Sequence, residues 1–449
     1  MNQERLVAAI EICSSKIICA VGRYDGQGQL SVIAVEQEEC KDIVRYGIVR
    51  NLEETALKVS RILDKLQRNP NIRPRKITGL FVGLSGLSLR SISNEVSITL
   101  PDEMEITDEI IARLRHDALK TDIDSSLEVV DAVARLYTVG KNETSSPKGM
   151  IGREISVIYD IIVCRPEIKR NLRIAIQDKA GINIEGYFVT PLAAGHIVLS
   201  TEEKRLGCML VDMGAETTEV SIYKSGCLNY FVTLPLGGRN ITRDLISLSL
   251  LEERAEEIKI TNGNALAKES ASTLNIHGIR RSDISNYIVA RTEEIVANIV
   301  EQITYANIKP KDLPGGIVCI GAAANLNGMI ELLARQSGMN VRLGHLPDYI
   351  HTSGLHTPGY EMLEVDCILY EGATFSDARC LSEPEKEEIP HTGQTPEVIA
   401  TINEKEASRE SGSDRRREKM RGLFRGFNDR ISKIFAPPVD DDDENDILD

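Results

Sequence analysis

No stretch of this sequence approaches the roughly 18 consecutive apolar residues that a membrane-crossing helix requires, so no segment is expected to span a bilayer. The first residues offer only LVAAI before Glu11 interrupts them. That run is too short and badly flanked for a secretory signal, and the chain is expected to stay in the compartment where it is made. Nine cysteines are present, yet none form a C-x-x-C pair, so a zinc site or redox dithiol lacks its usual spacing. Most lie in apolar runs such as KIICAVG and GIVCIG, where a free thiol acts as a small hydrophobe, and a reducing compartment fits. Net positive charge is also missing: 53 Lys and Arg stand against 68 Asp and Glu, a formal charge of -15. Such a surface repels phosphate backbones, and no nucleic-acid partner is expected.

What is present suffices for two or three domains with real cores, since 42% of 449 residues are hydrophobic. LVAAIEI, KIICAVG and LSVIAVEQ read as three strands. NLEETALKVSRILDKLQ follows as a helix with Asn51 at its N-cap and Glu54 in the capping-box position, and KITGLFVGL as a further strand. The order then recurs. CMLVDMG, TEVSIYKSG and YFVTLPLGG are three strand-like runs, a helical region follows, and GIVCIG supplies another strand. Locally, AIEICSSKIICAV (9–21) aligns with LVDMGAETTEVSI (210–222) as acid-x-small-x-x-(Ser/Thr) between apolar runs, a duplication at the level of one hairpin. Two α/β halves of like topology leave a cleft between them, a natural ligand site.

The halves are expected at 1–83 with 166–204, and at 205–239 with 313–375. Residues 84–165 interrupt the first half with alternating strands and the helix TDEIIARLRHDAL, an inserted α+β module. Residues 240–312 interrupt the second with helices. From 376 to 413 the chain is polar and rich in Pro, Ser and Glu, and reads as a disordered linker.

Two turns carry the candidate chemistry. In LVDMGAETTEV, Gly214, Ala215 and Glu216 form a tight turn whose amides could meet phosphate oxygens, with the Thr217 hydroxyl as a further donor. Asp212 at the strand end could hold magnesium, which favours carboxylates together with phosphate oxygens. The equivalent turn EICSSK supplies Glu11, Ser14, Ser15 and Lys16. Each alone is better read as an ordinary β-turn, whereas a facing pair makes a phosphate clamp an equally good reading. GIVCIGAAANLNGM runs a strand into Gly321 and Ala322, small enough to admit a flat ring or simply to let the chain pack closely.

Near the C-terminus, residues 414–436 combine both characters the rest of the chain keeps apart. Met420, Leu423, Phe424, Phe427, Ile431, Ile434 and Phe435 fall on one arc of about 120° of a helix. Eight Lys and Arg, among them Arg425, Arg430 and Lys433, face three acids over 414–435, a net +5. That pattern suits a helix lying in an anionic bilayer surface; a helix docking on the protein's own body or in a partner's groove is the alternative. The acidic tail 437–449 beyond it is expected to weaken binding to such lipid.

The order EICSSK, VDMGAET, PLGGRNITRDL, AEEIK and IGAAANLNG resembles the actin/Hsp70/sugar-kinase superfamily, and most of all the FtsA family of bacterial actin-like division proteins, over residues 5–375. The resemblance implies an actin-like, two-lobed α/β fold of duplicated ribonuclease-H-like halves, with 84–165 as an SHS2-like subdomain. It implies ATP and magnesium as ligands. Gly237, Gly238, Ile241, Thr242 and Asp244 match one family stretch, and Glu256 and Lys259 match residues that reach the nucleotide. Glu11 and Asp212 would then serve the metal, and Gly321, Ala322 and Asn325 the nucleoside side. Self-assembly into filaments, attachment of the tubulin-like FtsZ through 240–312, contact with later division proteins, and a peripheral place on the inner membrane face at the septum are implied as well.

The departures matter. Cys13 stands where the family has Gly, Glu11 where it has Asp, Ala215 and Glu216 for two glycines, and Ala322 for another. Nucleotide binding is therefore expected to be weaker than usual, with slow or absent hydrolysis and no catalytic residue. Competing readings are an actin-fold ATPase of pilus assembly and a phosphotransferase or chaperone ATPase. Residues 376–449 are too polar for a chaperone's peptide domain, and the altered first turn opposes a sugar kinase.

Overall fold

LVAAIEI and KIICAVG are apolar on both faces, as strands covered on both sides must be. They form β1 (Arg5–Ile12) and β2 (Lys16–Tyr24), an antiparallel pair buried almost throughout. The structure, a computed structural model, describes residues 4–267, 275–276, 278–352, 362–375 and 377–382. The linker beyond 382, the basic apolar segment 414–436 with Met420 to Phe435, and the acidic tail lie outside the described residues.

In the first lobe β3 (Leu30–Glu39) pairs with β2. Helix α1 (Leu52–Gln67) follows, its Asn51 side chain accepting the Glu54 amide as an N-cap should. The Glu54 carboxylate meets the Asn51 amide side chain rather than the backbone, so only half of the anticipated capping box forms. β4 (Gly79–Leu84) lies parallel to β1.

The inserted module contains β5 (Arg90–Glu105), α2 (Asp108–Ala118), β6 (Glu128–Val139) and β7 (Ile151–Cys164), around its own core of Ile98, Ile106, Leu114, Tyr159 and neighbours. The chain then returns through α3 (Pro166–Arg173), β8 (Asn183–Val189) and α4 (Thr190–Val198).

The second lobe repeats the first. β9 (Cys208–Met213), β10 (Thr218–Lys224) and β11 (Cys227–Leu234) form an antiparallel meander, and β12 (Ile317–Ile320) and β13 (Val341–Leu343) add in parallel. The order β3-β2-β1-β4-β8 thus recurs as β11-β10-β9-β12-β13, with the same sense at every pairing. Between the meander and β12 come α5 (Gly238–Ile246), α6 (Glu252–Asn262) and α7 (Arg281–Tyr305), and α8 (Met329–Ser337) joins β12 to β13.

Three features of the assembly depart from the sequence reading. The inserted module joins its sheet to the second lobe although its chain leaves the first. β5 sits beside β11, pairing Arg90 with Val232, and the Thr233 amide donates to the Leu89 carbonyl at 3.1 Å. Second, the stretch 313–375 does not stay in the second half. β14 (Ile350–His351) pairs with β3, and α9 (Leu363–Phe375) buries Leu363, Val365, Cys367, Ile368, Leu369 and Ala373 in the first lobe's core. Third, Cys380 and Leu381, read as part of a linker, belong to the first lobe's core. Cys380 and Leu381 are buried, the Thr78 amide donates to the Cys380 carbonyl at 2.8 Å, and Leu381 bridges to Ile77. An apolar pair held by an isolated bridge is short, and the charged residues around it hide it in a composition argument. Among the described residues no helix is long and apolar enough to cross a membrane.

Candidate functional site

The β1–β2 and β9–β10 turns have the same geometry. The Cys13 amide donates to the Lys16 carbonyl at 2.9 Å, and the Gly214 amide to the Thr217 carbonyl at 2.9 Å. Glu11 therefore corresponds to Asp212, Cys13 to Gly214, Ser14 to Ala215, Ser15 to Glu216 and Lys16 to Thr217, as the local alignment anticipates. Cys13 lies outside the left-handed region, so its side chain costs no backbone strain there. Ser14 is buried with its hydroxyl oxygen accepting the Gly47 amide at 3.1 Å, while Ser15 is exposed and Lys16 half-buried.

Glu11 and Asp212 sit at the base of the cleft with two acids that sequence reasoning missed, Glu219 and Glu364. Burial pushes the Glu11 carboxyl up to about 8, with the Glu364 charge adding to it and the Cys13 thiol and Lys16 opposing. Burial also holds Asp212 well above the usual carboxylate range, reinforced by Glu364, Glu219 and Glu11. Glu219 is raised by burial to about 7 against the Thr217 hydroxyl, and one of its oxygens has no hydrogen-bond partner. Buried like charges disfavour ionisation, and a cation among them would relieve both burial and repulsion. Among the described residues no three acids, histidines or cysteines could hold a metal by themselves. The donor set fits a magnesium ion that keeps waters and phosphate oxygens beside one or two carboxylates.

The nucleoside-side candidates also converge. On α6, Lys259 pairs with Glu256 at 2.7 Å and reaches back to Thr242 Oγ1 at 3.2 Å and the Gly238 carbonyl at 3.3 Å, at the start of α5. Thr242 in turn donates to Glu256. A Cβ at Gly238 would lie 3.3 Å from that of Ala323, so the 322–325 turn abuts the start of α5, with Ala322 and Asn325 exposed beside it. Gly321 has φ 84°, and a Cβ there would lie 2.5 Å from Asp212 Oδ1. Close chain packing against the metal-side acid, rather than room for a ring, is what requires glycine at that position.

The remaining candidates are engaged differently. The Gly238 and Arg239 amides donate to the Gly214 and Ala215 carbonyls at 3.0 and 2.7 Å, so the second turn seats on the first turn of α5. The Glu216 carboxylate accepts from Arg45, Arg239, Arg243 and the Tyr46 amide. Asp244, matched by motif alone, forms a two-pronged pair with Arg291 on α7 and supports the helices instead. Glu219 was legible as the acid opposite Asp212 across the turn; Glu364 was not, because nothing local reveals that α9 returns to the cleft.

The family model described as Cell division protein FtsA matches residues 209–361, and the one described as SHS2 domain inserted in FTSA matches residues 86–163. The Cell division protein FtsA of Porphyromonas gingivalis is 30% identical over 343 residues, 74% of this chain and 71% of that protein. That of Bacillus subtilis is 29% identical over 374 residues, 80% of this chain and 82% of that one. A solved structure of the PilM-PilN type IV pilus biogenesis complex superposes with a TM-score of 0.60 at 17% identity, covering 82% of this chain and 98% of that one. At such identity the last likeness is one of fold alone.

Proposed function

The chain belongs to the FtsA family of cell-division proteins and has its actin-like, two-lobed fold with an inserted SHS2 domain; on that premise we propose that it binds ATP with magnesium between its lobes, assembles with copies of itself, and tethers FtsZ to the inner face of an anionic membrane at the division site.

The observation that carries the nucleotide reading is the pair of equivalent turns with Glu11 and Asp212 at their roots. Lys16 and the amides of both turns would bind phosphate oxygens, and Glu11 and Asp212 would hold water around magnesium, which supplies charge neutralisation there. Gly238, Glu256, Lys259, Gly321, Ala322 and Asn325 would flank the nucleoside. With Cys13, Ala215, Glu216 and Ala322 in place of the family's glycines, hydrolysis is expected to be slow or absent.

Attachment to FtsZ and to later division proteins rests on family membership, with 240–312 as the docking region for FtsZ. Attachment to lipid rests on the basic, apolar segment 414–436. Many weak helices on one polymer would add avidity without a new contact.

Titration of the purified protein with a fluorescent ATP analogue in magnesium tests the nucleotide reading. Saturable binding that is lost in Lys259→Ala supports it, and no binding at millimolar nucleotide contradicts it.

A further inference from the structure

Glu216 stands where the family pattern has glycine, and the side chain is fully enclosed. Its Oε1 accepts from Arg45 Nη1 at 3.0 Å, Arg239 Nη1 at 3.3 Å and Arg243 Nη2 at 2.6 Å, while Oε2 accepts the Tyr46 amide at 2.7 Å. The donors come from both lobes. Arg45 and Tyr46 belong to the 42–47 loop of the first lobe, and Arg239 and Arg243 to α5 of the second.

We infer that Arg45, Arg239 and Arg243, with the Tyr46 amide, form the binding site for the terminal phosphate of a nucleoside triphosphate, and that Glu216 fills it as an internal stand-in. This rests on the nucleotide reading above and adds three phosphate ligands outside both turns.

Charge is the first argument. Three guanidinium groups meet the Glu216 carboxylate, and Asp42 pairs with Arg45 at 3.4 Å. The enclosure retains excess positive charge, which suits a terminal phosphate carrying about two negative charges and three acceptor oxygens. Burial by itself would raise the Glu216 carboxyl, but the Tyr46 amide and the arginines outweigh it and hold it below the usual range.

Position is the second. Arg239 Nη2 also donates to the Ser14 carbonyl at 3.3 Å, so the arginines border the first turn as well as the second. Gly47, next in the loop, donates to Ser14 Oγ. Glu216 therefore closes one ring of contacts through the first turn, the 42–47 loop, the second turn and α5. Strain is the third argument. Asp42 and Tyr46 have φ of 59° and 50°, a region that side chains other than glycine rarely adopt, and the Glu216–Tyr46 bond helps hold that shape. A phosphate that displaces Glu216 would release or re-form the loop, coupling nucleotide to the contact between lobes.

The test compares the full-length protein with Glu216→Gly, Glu216→Gln and Arg243→Ala, after thermal melts confirm that each folds. The fluorescent ATP analogue and the corresponding ADP analogue are titrated in magnesium. Removing the stand-in should tighten ATP binding by at least about tenfold in Glu216→Gly and by less in Glu216→Gln. Arg243→Ala should weaken ATP more than ADP, since only ATP carries the terminal phosphate. Without nucleotide, trypsin should cut after Arg45 faster in Glu216→Gly than in the parent chain, and ATP should slow that cut. Equal ATP affinity in parent and Glu216→Gly overturns the inference and leaves the nucleotide reading intact. Weaker ATP binding in Glu216→Gly also overturns it, because Glu216 would then assist the metal. Folded proteins that all fail to bind ATP overturn both.

Discussion

At the scale of single residues, the cleft acids make the sharpest statement. Glu11 is raised from 4.5 to about 8 in the fold, chiefly by burial and then by Glu364, with Glu219 adding and Lys16 and Cys13 opposing. A carboxyl whose folded value is raised favours its protonated form, so its contribution to stability is whole below 4.5 and is lost as pH rises through about 8. The nucleotide-free protein should therefore melt at progressively lower temperature between those limits. Glu11→Gln should flatten the decline, and magnesium with ATP should offset it at the alkaline end. A melting temperature that does not fall over that range contradicts the burial of these acids. Gly321 gives a second expectation. With φ 84° and Asp212 Oδ1 at 2.5 Å from a would-be Cβ, Gly321→Val should cost about 2 kcal/mol or more and weaken magnesium-dependent ATP binding, measured by urea unfolding and titration. Both turns were legible in the sequence because the acid-x-small-x-x-(Ser/Thr) signature is local. The partner arginines of Glu216 were not, because Arg45 comes from the other lobe and α5 is brought to the turn only by the fold.

At the scale of elements, what could be read was what repeats with a short period. The strand-strand-strand-helix-strand order, the Asn51 cap and the inserted α+β module follow from apolar patterning and local turn chemistry. The return of β14 and α9 to the first lobe could not be read, since sheet partners far apart in sequence leave no mark in periodicity. The same holds for the seam between β5 and β11. There, Arg135 on β6 forks onto buried Asp160 on β7 and donates to the Asn229 carbonyl of β11 at 3.1 Å. Removing the guanidinium strands a buried charge, so Arg135→Ala should cost about 3–5 kcal/mol. Arg135→Lys, which keeps charge without the fork, should cost less. No loss in Arg135→Lys, by chemical unfolding, would mean that the two-pronged geometry contributes nothing beyond its charge.

At the scale of the whole molecule, charge is divided by role. A body within a chain of net charge -15 would be repelled by an anionic leaflet, whereas residues 414–435 carry +5 beside seven bulky apolar residues. An acidic body therefore needs such a segment if it is to work at a membrane. The central claim is that this chain carries FtsZ to lipid, and co-sedimentation with anionic liposomes tests it directly. FtsZ is mixed with liposomes and ATP together with either the full-length protein or a chain stopped at Ser413. The account predicts that FtsZ pellets with lipid only in the presence of the full-length protein. FtsZ that pellets equally with both chains, or with neither, contradicts it.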